Sequence, residues 1–172
     1  MMKISRPGTD SYAPYYHKYI EMVPEDDVMA YFVHSQHAVP EFLRQIPEDR
    51  LFYAYAPGKW TLAEVLQHVL DGERIFAYRC LCIARGEKQQ LPSFDENSYS
   101  ENAVTSHRTL GSFLEEWSSI RQATISLLAH LHEGCLVNMG HAAGYPVQVR
   151  ALPWIIAGHE VHHLQIIQER YL

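Results

Sequence analysis

The chain has 172 residues, enough for a single domain that buries about 70% of its unfolded surface and folds without staples. With 14 Lys and Arg against 20 Asp and Glu, the net charge is −6 and no basic run is present, which argues against nucleic acid as a partner. Three cysteines (Cys80, Cys82, Cys135) without a C-x-x-C argue against a disulfide framework or a cysteine zinc site. No apolar run approaches the ~18 residues of a membrane span and no leader-like apolar segment opens the chain, so the expected compartment is the cytoplasm.

Residues 1–23 are rich in Tyr and Pro and read as an ordered arm lying across a helical body rather than as a helix. Pro24 then opens a first helix, with Glu25, Asp26 and Asp27 at the end where the macrodipole favours negative charge. Val28, Phe32, Ser35, Val39, Phe42 and Ile46 follow at helical spacing, and Pro40 predicts a kink. The second helix begins at the capping box Thr61-Leu62-Ala63-Glu64 and carries Leu62, Val65, Leu66, Val69, Phe76, Cys80 and Ile83 to a stop at Gly86. His68 lies beside that stripe, where Glu64 or Asp71 could fix its tautomer. Asp71 and Glu73 are expected to orient ligands or to pair with Arg74 and Arg79.

The stretch from Gly86 to Arg108 lacks helical periodicity, and a connection that long in a compact domain is usually functional or a crossover. Phe94, Tyr99 and Asn102 within it are candidates to line a pocket. Thr109 caps a third helix with Leu110, Leu114, Trp117, Ile120, Thr124, Leu127, Leu128 and Leu131 inward, and Tyr145 to Val149 reads as a short extended piece. Ala151 to Tyr171 forms the fourth. Four helices of this kind predict an all-α four-helix bundle over residues 1–172.

In the fourth helix Leu152, Ile155, Ile156, Ile166 and Ile167 form a stripe, and His159 and His163 fall inside it where leucines would be ordinary. At i and i+4 the two rings can reach one divalent ion. His162 is the competing partner but sits at the edge of the stripe, facing a neighbour or solvent. The segment also satisfies H-E-x-x-H, yet too little chain follows His163 to supply a zinc protease's downstream ligand, so if three protein ligands exist the third must come from earlier in the sequence. Glu160 lies off the stripe on a side expected to be solvated or to face a partner; it is the one candidate for a catalytic general base.

The run Ala56-Pro57-Gly58-Lys59-Trp60-Thr61, the following Glu64-Val65-x-x-His68-x-x-Asp71-x-Glu73-Arg74 and Phe76-Ala77-Tyr78-Arg79 together resemble the DinB/YfiT-like superfamily. So do Leu91-Pro92-x-Phe94-Asp95 and Gly158-His159-Glu160-x-His162-His163. The resemblance implies a four-helix bundle with a long crossover between helices two and three, and one divalent metal held by His68, His159 and His163. It also implies a metal-dependent enzyme acting on a small molecule, either a hydrolase or an S-transferase that uses a low-molecular-weight thiol. Imidazole ligands suit zinc or nickel foremost, with iron and manganese compatible. The alternative is a non-catalytic metal-binding or stress-related interaction module. The aromatic arm and the aromatic-rich helix ends offer more apolar surface than a small acidic monomer needs, so a homodimer is expected.

Overall fold

A computed structural model describes residues 2–172. Capping chemistry sets the start of most helices. The Asp27 carboxylate accepts from the Met29 N–H at 3.1 Å, so α2 (Val28–Leu43) starts there and not at Pro24. The same carboxylate oxygen accepts from the Ile4 N–H at 3.0 Å, which ties the N-terminal arm to the body. α2 continues through Pro40 and ends at Leu43, short of the expected Ile46. At the start of α3 (Leu62–Ala84), both halves of the Thr61–Glu64 capping box are formed, and Gly86, at φ 87°, follows the helix end. Thr109 caps α5 (Leu110–Ala129) through the Ser112 N–H at 3.2 Å, and α6 runs from Ala151 to Arg170.

Two short helices were not expected. Within the arm, residues His17–Met22 form α1, entered through a single 3-10 turn at Pro14–Tyr16 and buried through Tyr19 and Ile20. In the long connection, Glu96–Asn102 form α4 under an Asp95 cap that accepts from Asn97 and Ser98 N–H. Each spans two turns at most, too short for a 3.6-residue period to show in sequence. The extended piece Tyr145–Gln148 is β2, and it pairs antiparallel with β1 (Met139–Ala142) across a two-residue turn. Ala143 and Gly144 both have positive φ (52° and 86°), as the tight primed hairpin turn requires. Leu91 bridges to Ala142, fastening the long connection to this hairpin.

The four long helices make the bundle. α2 packs on α5 and α6, and α3 packs on the same two, so α2 and α3 take opposite corners although they follow one another in the chain. α3 and α5 adjoin and run in the same direction, Gln67 meeting Arg108 and Glu73 meeting Arg121, so the connection between them must return along the length of the bundle. The core falls into two apolar clusters. One gathers Tyr31, Phe32, Phe76, Leu128 and Ile156 with the arm and hairpin; the other gathers Val39, Leu70, Trp117 and Ile167. Between them lies a polar layer of Ser35, Glu73, Arg121 and Glu160, all buried. Arg121 grips Glu73 with two bonds, Nε to Oε1 at 3.0 Å and Nη2 to Oε2 at 2.8 Å, while Nη1 and Nη2 also reach Glu160. Glu160 is completed by the Tyr31 hydroxyl at 2.6 Å and the Trp117 indole N–H at 3.2 Å. Burying these charges is tolerable because nearly every lone pair and proton has a partner.

α6 is enclosed on every side over its first half. Ala151 to Glu160 are all buried, and the Trp154 N–H reaches the Ile4 and Ser5 carbonyls of the arm. The enclosure has a strong steric signature at Gly158, where a Cβ would meet the Tyr19 carbonyl oxygen at 2.0 Å. α1 therefore rests directly on the α6 backbone. No helix among the described residues is long and apolar enough to cross a membrane.

Candidate metal centre

α3 and α6 pack against each other with their residue order opposed. His68 meets His159 and His163, and the positions one and two turns farther along α3, Gly72 and Phe76, face His159. This antiparallel register brings the three imidazoles level. His68 Nε2 lies 2.9 Å from His159 Nε2, and His163 Nε2 lies 3.2 Å from that same atom. One nitrogen from each of the three comes within 4.8 Å of the others, and no fourth His, Cys, Asp or Glu belongs to the group among the described residues. Ligands at tetrahedral positions around zinc, with Zn–N of about 2.0–2.1 Å, stand roughly 3.3 Å apart, so the donor set fits a divalent ion with little movement.

The local electrostatics keep the donors available. Burial, reinforced by the neighbouring imidazoles His163, His68 and His162, holds His159 well below the ordinary histidine pKa. Burial first, then His68 and His162, pushes His163 down to about 3. His68 is lowered by burial too, against the pull of Glu96. All three are therefore neutral at pH 7, the form that binds metal.

Packing holds the rings where hydrogen bonds to carboxylates were expected to do so. Glu64 is spent in the Thr61 capping box, and Asp71 accepts from the Gln67 side chain at 3.0 Å and lies 3.9 Å from Arg74. Among the described residues no carboxylate bonds to any of the three histidines, and His163 Nδ1 is buried without a partner. Instead Trp60 packs on His68 at 5.0 Å between centroids, Tyr19 and Phe76 flank His159 at 5.9 and 6.2 Å, and Gly72 leaves room for the His159 ring, 3.0 Å from where a Cβ would be. His162, at the edge of the stripe as expected, stacks edgewise on Tyr19 at 5.1 Å.

Two carboxylates stand elsewhere than the sequence suggested. Glu160 is neither solvated nor at an outer surface. It is 1% exposed, because the first half of α6 has no outer face, and both its oxygens are engaged by Arg121, Tyr31 and Trp117. Glu73 pairs with Arg121 and not with Arg74 or Arg79. An arginine on the inward stripe of α5 is the element that sequence reasoning missed; its only signal was a charge where the period called for an apolar residue.

The histidines open onto a cleft of about 750 Å³ whose walls are aromatic. Tyr16, Tyr19, Trp60, Phe76 and Tyr145 line it together with Arg79. Of the three pocket candidates in the long connection, Phe94 lines the cleft, Tyr99 packs behind Phe94 at 5.3 Å, and Asn102 turns its amide back to the Ser98 carbonyl of its own helix.

Known structures share this architecture. YfiT from Bacillus subtilis, described as a probable metal-dependent hydrolase with an unusual four-helix bundle topology, superposes with a TM-score of 0.66 at 16% identity, over 95% of this chain and 91% of that one. A DinB-like protein from Bacillus subtilis, YjoA, gives a TM-score of 0.58 at 22% identity, over 82% of this chain and 86% of that one. At such identities the likeness is one of fold. No curated protein matches the chain in sequence. The sequence model of the DinB superfamily matches residues 31–167, a span that holds all four long helices and the three converging histidines apart from the first turn of α2 and the last of α6, and the chain belongs to that superfamily.

Proposed function

We propose that His68, His159 and His163 hold one divalent metal ion and that the chain is a metal-dependent enzyme acting on a small molecule. The observation that carries this reading is the convergence of three neutral imidazole Nε2 atoms on the floor of a cleft. A site with three protein ligands and open access is of the catalytic type, whereas a structural site closes its shell with a fourth. A metal site that serves stability alone has no use for a cleft of substrate size beside it.

A divalent ion held there supplies Lewis acidity, acidifying a water or a thiol that binds to it. Hydrolysis and thiol transfer therefore share one site. The chain's own residues do the rest. Tyr16, Tyr19, Trp60 and Phe76 exclude bulk water and stack against a flat substrate. Glu160 anchors α6 through Arg121, so that His159 and His163 keep their positions, and its engaged oxygens suit it to positioning and not to proton transfer. Zinc or nickel is the proposed metal, the cytoplasm the proposed compartment and a homodimer the proposed assembly; exposed Tyr78, Leu81, Val137 and Met139 support the last.

Activity of the metal-loaded protein toward p-nitrophenyl esters, and toward 1-chloro-2,4-dinitrobenzene with glutathione, cysteine or coenzyme A as thiol, tests the reading. Turnover that disappears in His163→Ala and on chelation, and returns with added metal, is the expected result. Turnover unaffected by chelation would overturn it.

A further inference from the structure

The two buried arginines of the chain are treated in opposite ways. Arg121 is fully enclosed and carries two carboxylates. Arg79 is 3% exposed, yet among the described residues no carboxylate lies within 4.0 Å of it. Its Nη2 donates to the Pro92 carbonyl at 2.8 Å, the Tyr16 hydroxyl lies beside it, and its guanidinium carbon stands 5.5 Å from the Phe76 ring centre and 6.0 Å from that of Phe94. A guanidinium has five N–H donors, and these neighbours engage only some of them. A buried cation without a counter-charge is costly, and binding an anion recovers that cost.

Arg79 also lines the cleft that the histidines open into. Phe76 stands between the two sites, one face of its surroundings being His159 at 6.2 Å and another the Arg79 guanidinium. Both groups stand within 6.2 Å of the Phe76 ring centre, so a small molecule can span them, and the surrounding rings suit a flat apolar body. Glu96, exposed at the cleft, together with the net charge of −6, disfavours a ligand with more than one negative charge. The planar fork of the guanidinium matches a carboxylate with two parallel bonds.

We propose that Arg79 is the anion-binding residue of this cleft, and that the substrate is a small monocarboxylate with a flat apolar body whose carboxylate docks on Arg79 while its reacting end reaches the histidines. The proposal rests on the reading of the cleft as an active site and adds the substrate class to it.

The test is an NMR titration of zinc-loaded and zinc-stripped protein with phenylacetate, its neutral isostere phenylacetamide, and phenyl phosphate, with zinc content measured on each sample. Phenylacetate is expected to bind at least about tenfold tighter than phenylacetamide, the scale of a charge-assisted hydrogen-bonded pair. This contrast should persist in the stripped protein, fall severalfold in Arg79→Gln and be partly restored in Arg79→Lys. The Arg79 Nε–H resonance of the wild type, which needs no variant to fold, should shift with phenylacetate and not with the amide. Equal binding of acid and amide, or a contrast unchanged in Arg79→Gln, overturns the proposal. A contrast found only with zinc bound assigns the carboxylate to the metal, which overturns the role of Arg79 and leaves the metal reading intact. Protein that holds no zinc under any condition but keeps the contrast supports Arg79 and overturns the metal reading. Tighter binding of phenyl phosphate than of phenylacetate overturns the choice of carboxylate.

Discussion

Gly158 lies so close to the Tyr19 carbonyl that a methyl group at position 158 would sit 2.0 Å from the oxygen and 2.3 Å from the carbon. The contact joins the helix that carries His159 and His163 to the short helix that carries a cleft wall. Backbone cannot swing aside as a flexible side chain can, so Gly158→Ala must push α1 off α6. A loss of about 1–3 kcal/mol is expected in urea denaturation, as for other overpacked sites. Full stability in that variant would contradict the close approach.

Gly72 illustrates the same device at lower cost. A Cβ there would meet the His159 ring at 3.0 Å, so the ring has to give by a few tenths of an ångström. Alanine also improves helix propensity by about 1 kcal/mol in an interior position. Gly72→Ala should therefore keep or slightly raise the stability of metal-stripped protein while weakening metal affinity by about tenfold, the scale seen when support around a ligand is disturbed. Competition against a chelating dye measures the affinity; an unchanged value would show that Gly72 does not set the position of His159.

The Glu73–Arg121–Glu160 layer makes an asymmetric prediction. Removing the cation in Arg121→Met leaves two carboxylates buried side by side, and a loss of about 3–5 kcal/mol is expected. The triple variant Glu73→Gln, Arg121→Met, Glu160→Gln removes every charge and should recover part of that loss. Chemical denaturation of both variants decides it. A triple variant no more stable than the single one would mean that the layer acts through shape and hydrogen bonding rather than charge.

Acid should unfold the metal-stripped protein through its histidines. Their folded pKa values are depressed, His163 to about 3 and His159 well below its ordinary value, while in the unfolded chain each titrates near 6.5. Above that value neither state carries the protons and the histidines cost nothing. As pH falls below about 6.5 the unfolded chain takes up protons that the folded site refuses, so stability drops progressively toward pH 3. Metal loading should raise the melting temperature at pH 7.5 and much less at pH 5, because protons compete for the same nitrogens. Denaturation curves between pH 7.5 and 4 check both statements; a flat profile for stripped protein would show that the histidines are not held neutral.

Local chemistry was the legible part of this sequence. The capping box at Thr61, the cap at Thr109, the stop at Gly86 and the i, i+4 spacing of His159 and His163 depend on residues near one another, and each reappears in the structure. The group that His68 completes had to come from resemblance, since nothing in helical periodicity says which helices adjoin. Glu160 and Arg121 were illegible for a related reason. Periodicity assumes that a helix has an outer face, and the first half of α6 has none, so a charge off its stripe was read as solvated. The partner of Glu160 lies 39 positions earlier in the chain, and only the bundle brings them together. α1 and α4 were missed because two turns at most are too short to display a period.

Elemental analysis of purified single-alanine variants tests the central claim most directly. The wild type and His162→Ala should each carry about one divalent ion per chain, while His68→Ala, His159→Ala and His163→Ala, checked by circular dichroism for retained helix, should lose most of it. Full metal occupancy in both His68→Ala and His163→Ala would contradict the account and return these side chains to the role of ordinary packed histidines.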